Sequence, residues 1–273
     1  MIGRSRGFTL TELLVTMVVM AILGSALARI LINNSRFVSR QDAMLSARES
    51  ARAAMNTMLA ELRGVSNGGV IAVARDSVRV RVPVAFGVLC RTVPPNTIAS
   101  LMPYDSAMYA GAALEGVAWL DDLGNYNFVT GVISITGSSS QTTCDQDSIK
   151  VIPGGQLVAI SRPNLGQPGR LFYLYQTVTY RFGNSADMPG RRALWRRAGN
   201  AAAEEIVAPF DTAASFRFLL GPRLTPSSTV PAVLDSVRGL QIRLVGASDY
   251  TPQGESRYQT FDMTTHVAFL NQR

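Results

Sequence analysis

The sequence predicts an α+β protein: one long amino-terminal helix, membrane-spanning in its first half and amphipathic in its second, packed on a β-rich carboxyl-terminal domain. Three observations predict it. After Phe8 no proline occurs before Pro83, and no glycine lies between Gly24 and Gly64, which permits one long helix over roughly 8–63 and assigns 8–65 to the helical segment. The run from Leu13 to Leu27 carries no charge. Beyond Ser66-Asn67-Gly68-Gly69 the apolar period shortens from that of a helix to that of a strand, and no second long helical pattern follows, which assigns 66–273 to the β-rich domain.

The helix divides into two halves by composition. Leu13 to Ile32 gives about 20 residues and about 30 Å of helix, enough to cross a hydrocarbon core, so 8–32 is the transmembrane half. Arg4 and Arg6 precede the run and orient it with the leading residues on the cytoplasmic side. Glu12 lies at the head of the apolar segment, where a carboxylate is unfavourable and normally marks a function; tolerance by snorkelling is the alternative. In the second half Met44, Ala47, Ala51, Met55, Met58, Leu62 and Val65 recur at three- and four-residue intervals, with Arg48, Glu49, Arg52 and Glu61 largely off that stripe. The stripe reads as the face that packs on the following domain.

The strands follow from alternation. Val70–Val73 and Val78–Val82 flank Arg75-Asp76-Ser77 as a hairpin, with Arg79 and Arg81 on its solvent side. Further strands are expected at 84–90, 127–136, 156–161, 170–182, 192–197, 214–220, 237–245 and 258–269. Turn-rich stretches such as Pro94-Pro95-Asn96 and Pro163-Asn164 separate them. Residues 100–126 show no clean period and fit a short helix or a loop insertion.

At 273 residues, 47% apolar and 16% charged, the chain can bury a large core and is not a disordered sequence. Its net charge of +7 rests on arginine, Lys150 being the only lysine. Cys90 and Cys144 form no CxxC pair and the single His266 has no clustered partner, which argues against a zinc site. In an exported domain two such cysteines form one disulfide; two separate buried thiols are the alternative. No phosphate-binding glycine loop, dinucleotide fingerprint or nucleophile elbow is present. Asp121-Asp122 and Glu204-Glu205 read as solvated turn charges, and Asp145-Gln146-Asp147 lacks the glycine and glutamate of a calcium loop. No catalytic constellation, cofactor or metal is expected.

The order Gly7-Phe8-Thr9-Leu10-Thr11-Glu12-Leu13-Leu14-Val15, with the junction ahead of the apolar run rather than behind it, resembles the type IV pilins and pseudopilins. The resemblance covers residues 3–32. It implies a leader of residues 1–7, cleavage by a prepilin peptidase between Gly7 and Phe8, and N-methylation of Phe8. It also implies that Glu12 pairs with the amino terminus of a neighbouring subunit, or of its own chain, to set register in a filament. The expected partners are that peptidase, major and minor pilins through the helix, and an inner-membrane assembly platform. The protein would wait in the inner membrane as a single-pass subunit with a periplasmic domain, then enter the pilus or pseudopilus. One departure stands out: Gly24 to Arg29 contains no proline, which many major pilins carry there.

Downstream, Tyr173-Leu174-Tyr175 through Tyr180-Arg181, Ala193 to Arg197, Ser215-Phe216-Arg217-Phe218 and Val237 to Leu244 follow an order similar to PilW-like minor pilins and J-type pseudopilins. The expected function is a minor pilin that primes assembly or sits at the tip of a type IV pilus, its bulky domain favouring a low-copy position. A J-type pseudopilin of type II secretion is the first alternative. The second is a pilus-borne module binding DNA or a surface through Arg191, Arg192, Arg196 and Arg197, which lie among aromatic residues. Against this stands the plainer reading that aromatics face the core and arginines face water.

Overall fold

The computed structural model describes residues 9–102, 105, 114–131, 135–138, 144 and 156–269. One helix, α1 (Leu10–Leu62, 53 residues), precedes a mainly antiparallel sheet. The strands are β1 (Val70–Val73), β2 (Ser77–Val93), β3 (Asn96–Leu101), β4 (Gly116–Leu120), β5 (Tyr126–Thr130), β6 (Ile135–Ser138) and β7 (Gln156–Ile160). They continue with β8 (Leu171–Asn184), β9 (Arg192–Ala198), β10 (Glu204–Phe210), β11 (Ser215–Leu220), β12 (Thr225–Ser227), β13 (Val237–Ala247) and β14 (Thr260–Ala268). Among the described residues the sheet runs β12-β11-β13-β10-β9-β8-β2-β3-β7-β6. β1 lies beside β2, β14 beside β13, and the β4–β5 hairpin beside β8.

The α+β layout is as the sequence predicts, and the helix ends where expected. Its last turn closes on Arg63, and Gly68 adopts the positive φ of 76° that the reversal into β1 requires. The packed stripe is built on small residues. Ala43, Ala47, Ala51 and Ala54 are fully buried along with Met58, Leu62 and Val65, while Met44 is only half-buried. Alanine matters because α1 lies almost directly on β13: a Cβ at Gly246 would collide with the carbonyl oxygen of Ala47.

β8 is the long central strand, and its even-numbered face feeds two cores. Val178, Tyr180 and Phe182 join the core beneath α1, with Leu194, Phe216, Phe218, Leu240, Ile242 and Leu244. Phe172 and Leu174 join a second core, away from the helix, with Leu89, Leu101, Val117, Val158 and Ile160. The second core belongs to the lobe carrying β3 to β7. Cys90 and Cys144 are bonded there, with Cα atoms 5.1 Å apart, beside Ile98 and Leu157. By the chain-entropy model a crosslink of this span contributes about 4 kcal/mol.

Several strand expectations change. Residues 78–82 and 84–90 are one strand, because Pro83 falls at a register shift opposite β8, where its missing N–H is tolerated. The expected strand 127–136 is two, β5 and β6. β3 has no alternation because five of its six residues are buried, so both of its faces are covered. β4 begins at Gly116, where a side chain would strike the Val129 carbonyl and the Tyr175 hydroxyl. β10 includes Glu204-Glu205, so these charges lie on a strand and not in a turn. Arg81 does not face open water: its guanidinium lies 4.4 Å from the Phe128 ring centroid and donates to the Gly68 carbonyl. Asp145-Gln146-Asp147 and Lys150 lie outside the described residues.

Candidate functional site

The amino-terminal half of α1 is the candidate site. Thr9 is the N-cap, and Glu12 stands at N3, so the helix begins with a capping box. The Thr9 hydroxyl accepts from the Glu12 N–H at 3.3 Å, and the Glu12 carboxylate accepts from the Thr9 N–H at 3.0 Å. The carboxylate thus lies at the positive end of the helix dipole. Gly7, Phe8, Arg4 and Arg6 lie outside the described residues.

From Leu10 to Asp42 no residue of the helix is buried. Leu10 is 82% exposed and Phe37 59%, and the most apolar 18-residue window has a mean hydropathy of 2.2 with none of it covered. Of these, residues 10–32 form about 35 Å of bare, mostly apolar rod, a surface that in water is unfavourable at about 25 cal/mol per Å². The rod is chemically complete only inside a lipid bilayer or against other apolar helices.

Where the rod meets the domain, the loop between β13 and β14 clasps it. Arg40 pairs with Glu255 at 2.5 Å. The Tyr250 hydroxyl donates to the Ser39 carbonyl at 3.2 Å, and the Gln253 N–H to the Ser39 hydroxyl at 3.2 Å. Gly254, at a φ of 82°, leaves room for the Arg36 side chain. At the far end of α1 the Glu61 carboxylate receives two groups from the sheet. Arg196 donates to it through Nη2 at 2.7 Å and Nε at 3.1 Å, and the Tyr180 hydroxyl donates at 2.6 Å. Burial, and then the Glu61 charge, push the Tyr180 hydroxyl well above its ordinary range. Burial works against the Arg196 charge, yet Glu61 more than offsets it and holds the guanidinium above its usual value. Sequence reasoning missed this lock; the only local hint is a charge at the flank of the helical stripe.

The four arginines of the expected contact surface do not act together. Arg191 stacks 3.8 Å from the Tyr258 ring centroid. Arg192 donates to the carbonyls of Thr212 and Phe182. Arg196 is held by Glu61 on the helix side of the sheet, contrary to the expectation that arginines here face water. Only Arg197 is exposed without a hydrogen-bonded partner among the described residues. Of the paired carboxylates, Asp121 caps the β4–β5 turn by accepting from the Leu123 and Asn125 N–H groups. Glu205 accepts from Ser185 and from the Ala186 N–H. His266 lies against the Gln241 amide on the outer face of β14. No cluster of metal-ligating side chains occurs among the described residues.

Against this geometry, the family model described as "Prokaryotic N-terminal methylation motif" matches residues 2–28. The match begins in the basic leader and runs into the bare rod, so the motif and the exposed helix are one continuous segment. It supports the type IV pilin and pseudopilin class, with processing by a prepilin peptidase and pilus-type assembly, and does not separate the subtypes. Neither a curated protein nor a solved structure matches the chain.

Proposed function

We propose that the chain is a minor pilin: a membrane-held subunit, cut between Gly7 and Phe8, that primes assembly of a type IV pilus or sits at its tip. The observation that carries this reading is the methylation motif running directly into an uncovered apolar helix whose lower half is built into the domain. Before assembly the bilayer covers the rod; after assembly the helices of neighbouring subunits cover it. The domain held at its end has a second, disulfide-linked lobe beyond the helix-covered core. Such bulk is easily accommodated at an end of a filament and poorly in every repeat of a shaft.

In this reading Glu12 has two successive roles. Within the isolated subunit it caps its own helix. On assembly the same carboxylate meets the amino group of an adjacent chain, exchanging a local hydrogen bond for a charge pair in apolar surroundings. The domain lies on the periplasmic side, and the partners are the prepilin peptidase, the inner-membrane platform and other pilins.

The test is quantitative mass spectrometry of filaments sheared from a host that expresses the protein. A minor pilin is recovered with the major pilin at a small fraction of its abundance, and deleting it lowers filament number. Recovery only with secretion-system components, and unchanged pilus number on deletion, would assign the chain to a type II secretion pseudopilus instead.

A further inference from the structure

We propose that the outer face of the sheet, turned away from α1, carries a binding cleft for an acidic glycan, a uronate-bearing oligosaccharide. The inference goes beyond the assembly role and does not depend on it. Antiparallel pairing places paired residues on the same face. Arg79 is paired with Thr179, and Thr179 with Arg197, so two guanidiniums flank one hydroxyl across β2, β8 and β9. Two residues along, Arg181 is paired with Trp195. The even residues Val178, Tyr180 and Phe182 are buried under α1, so this odd set faces the other way.

Thr179, Arg181, Trp195, Arg197, Asn184 and Asp76 line a half-open cleft of about 570 Å³. Of the arginines that line it, Arg192 is held by backbone carbonyls and Arg196 by Glu61, which leaves Arg181 and Arg197. No carboxylate forms an ion pair with these two among the described residues, nor with Arg79 on the adjoining strand β2, whose Nε is buried without a hydrogen-bond partner. Glu205, paired with Trp195 across the strands, is taken by Ser185 and Ala186 and does not neutralise them. The indole is fixed as a platform: its Nε1 donates to the Asn184 carbonyl at 3.0 Å. The ring lies over Gly183, whose missing Cβ leaves room for it.

These walls suit a sugar acid. A pyranose presents an apolar ring face to the indole, and a uronate carboxylate can take a guanidinium in a bidentate pair. Its hydroxyls can donate to Asp76 and bond Thr179 and Asn184. A DNA strand would bring its charge to the same arginines, but it has no chain hydroxyl to donate to Asp76, and its phosphates would be repelled there.

The test uses the full chain in non-ionic detergent with Trp119→Phe, which leaves Trp195 as the sole tryptophan. Tetragalacturonate, maltotetraose and single-stranded oligothymidylate are titrated by Trp195 fluorescence and by calorimetry. Tetragalacturonate is expected to bind and to shift the indole emission, with maltotetraose at least about tenfold weaker. Arg181→Ala and Arg197→Ala should each weaken tetragalacturonate by about tenfold or more, while Arg217→Ala, an exposed arginine outside the cleft, should not. No binding, binding indifferent to Arg181 and Arg197, or oligothymidylate bound as tightly as the uronate would each overturn the proposal.

Discussion

Glu61, in the last turn of α1, and Arg196, in the middle of β9, form a two-point ion pair that joins helix to sheet, with the closer contact at 2.7 Å. The Glu61 side chain is 24% exposed and that of Arg196 20%, so the pair is partly desolvated, and removing one partner strands the other. Arg196→Ala should lower unfolding free energy by about 2 kcal/mol, and Glu61→Ala by a similar amount. The double variant should lose much less than the sum. Urea unfolding of the four proteins measures the coupling; additive losses would mean that the pair contributes nothing of its own.

The same cluster sets an alkaline limit. Tyr180 is held above its ordinary value of 10.0 by burial and by Glu61, and Tyr173 is also raised by burial. A hydroxyl whose folded pKa is raised contributes stability that is fully present below the unfolded value and lost as pH rises through the folded one. Unfolding free energy should therefore be flat near neutrality and fall above about pH 10. Tyr180→Phe should make that fall shallower. A thermal denaturation series between neutrality and pH 11 checks it.

Close approach of α1 to β13 depends on Gly246. A Cβ there meets the Ala47 carbonyl, which is backbone and cannot swing away, so the helix must lift. Gly246→Ala should destabilise by about 1–3 kcal/mol, and Gly246→Val by more. Amide exchange should rise along 43–62, the buried stretch of α1, and much less in the second lobe.

At the amino terminus, charge and cap can be separated. Glu12→Gln keeps an N3 side chain able to accept from the Thr9 N–H but removes the charge; Glu12→Ala removes both. Both variants should be cleaved. If Glu12 pairs with a neighbouring amino group, both should be depleted in sheared filaments to a similar degree. Depletion of Glu12→Ala alone would identify the cap, not the charge, as the feature that matters.

The sequence made the helix legible because its signals are local and redundant: no breaker over 8–63, a charge-free run, and a heptad-like stripe ending at a glycine pair. Hairpins with alternating faces, such as β1–β2, were equally visible. β3 and β4 were not, because their residues are covered on both faces and lose the alternation that marks a strand. The merger across Pro83 depends on where a register shift falls, which only the partner strand determines. The Glu61–Arg196 pair spans a sequence separation of 135 residues and leaves no periodic trace. Arginine density around 191–197 was visible, but not that Arg192 and Arg196 are committed within the fold. Arg79, the cation that faces Arg197 across Thr179, comes from a strand far earlier in the chain.

The central claim is that the amino-terminal segment is a processed assembly device and not a permanent anchor or an ordinary signal. Intact and peptide mass spectrometry of the protein from a host with an active prepilin peptidase tests it most directly. The account predicts a mature chain beginning at N-methylated Phe8, with Gly7→Ala left as precursor. An uncut amino terminus, or cleavage beyond the apolar run that releases residues 9–32, would contradict it.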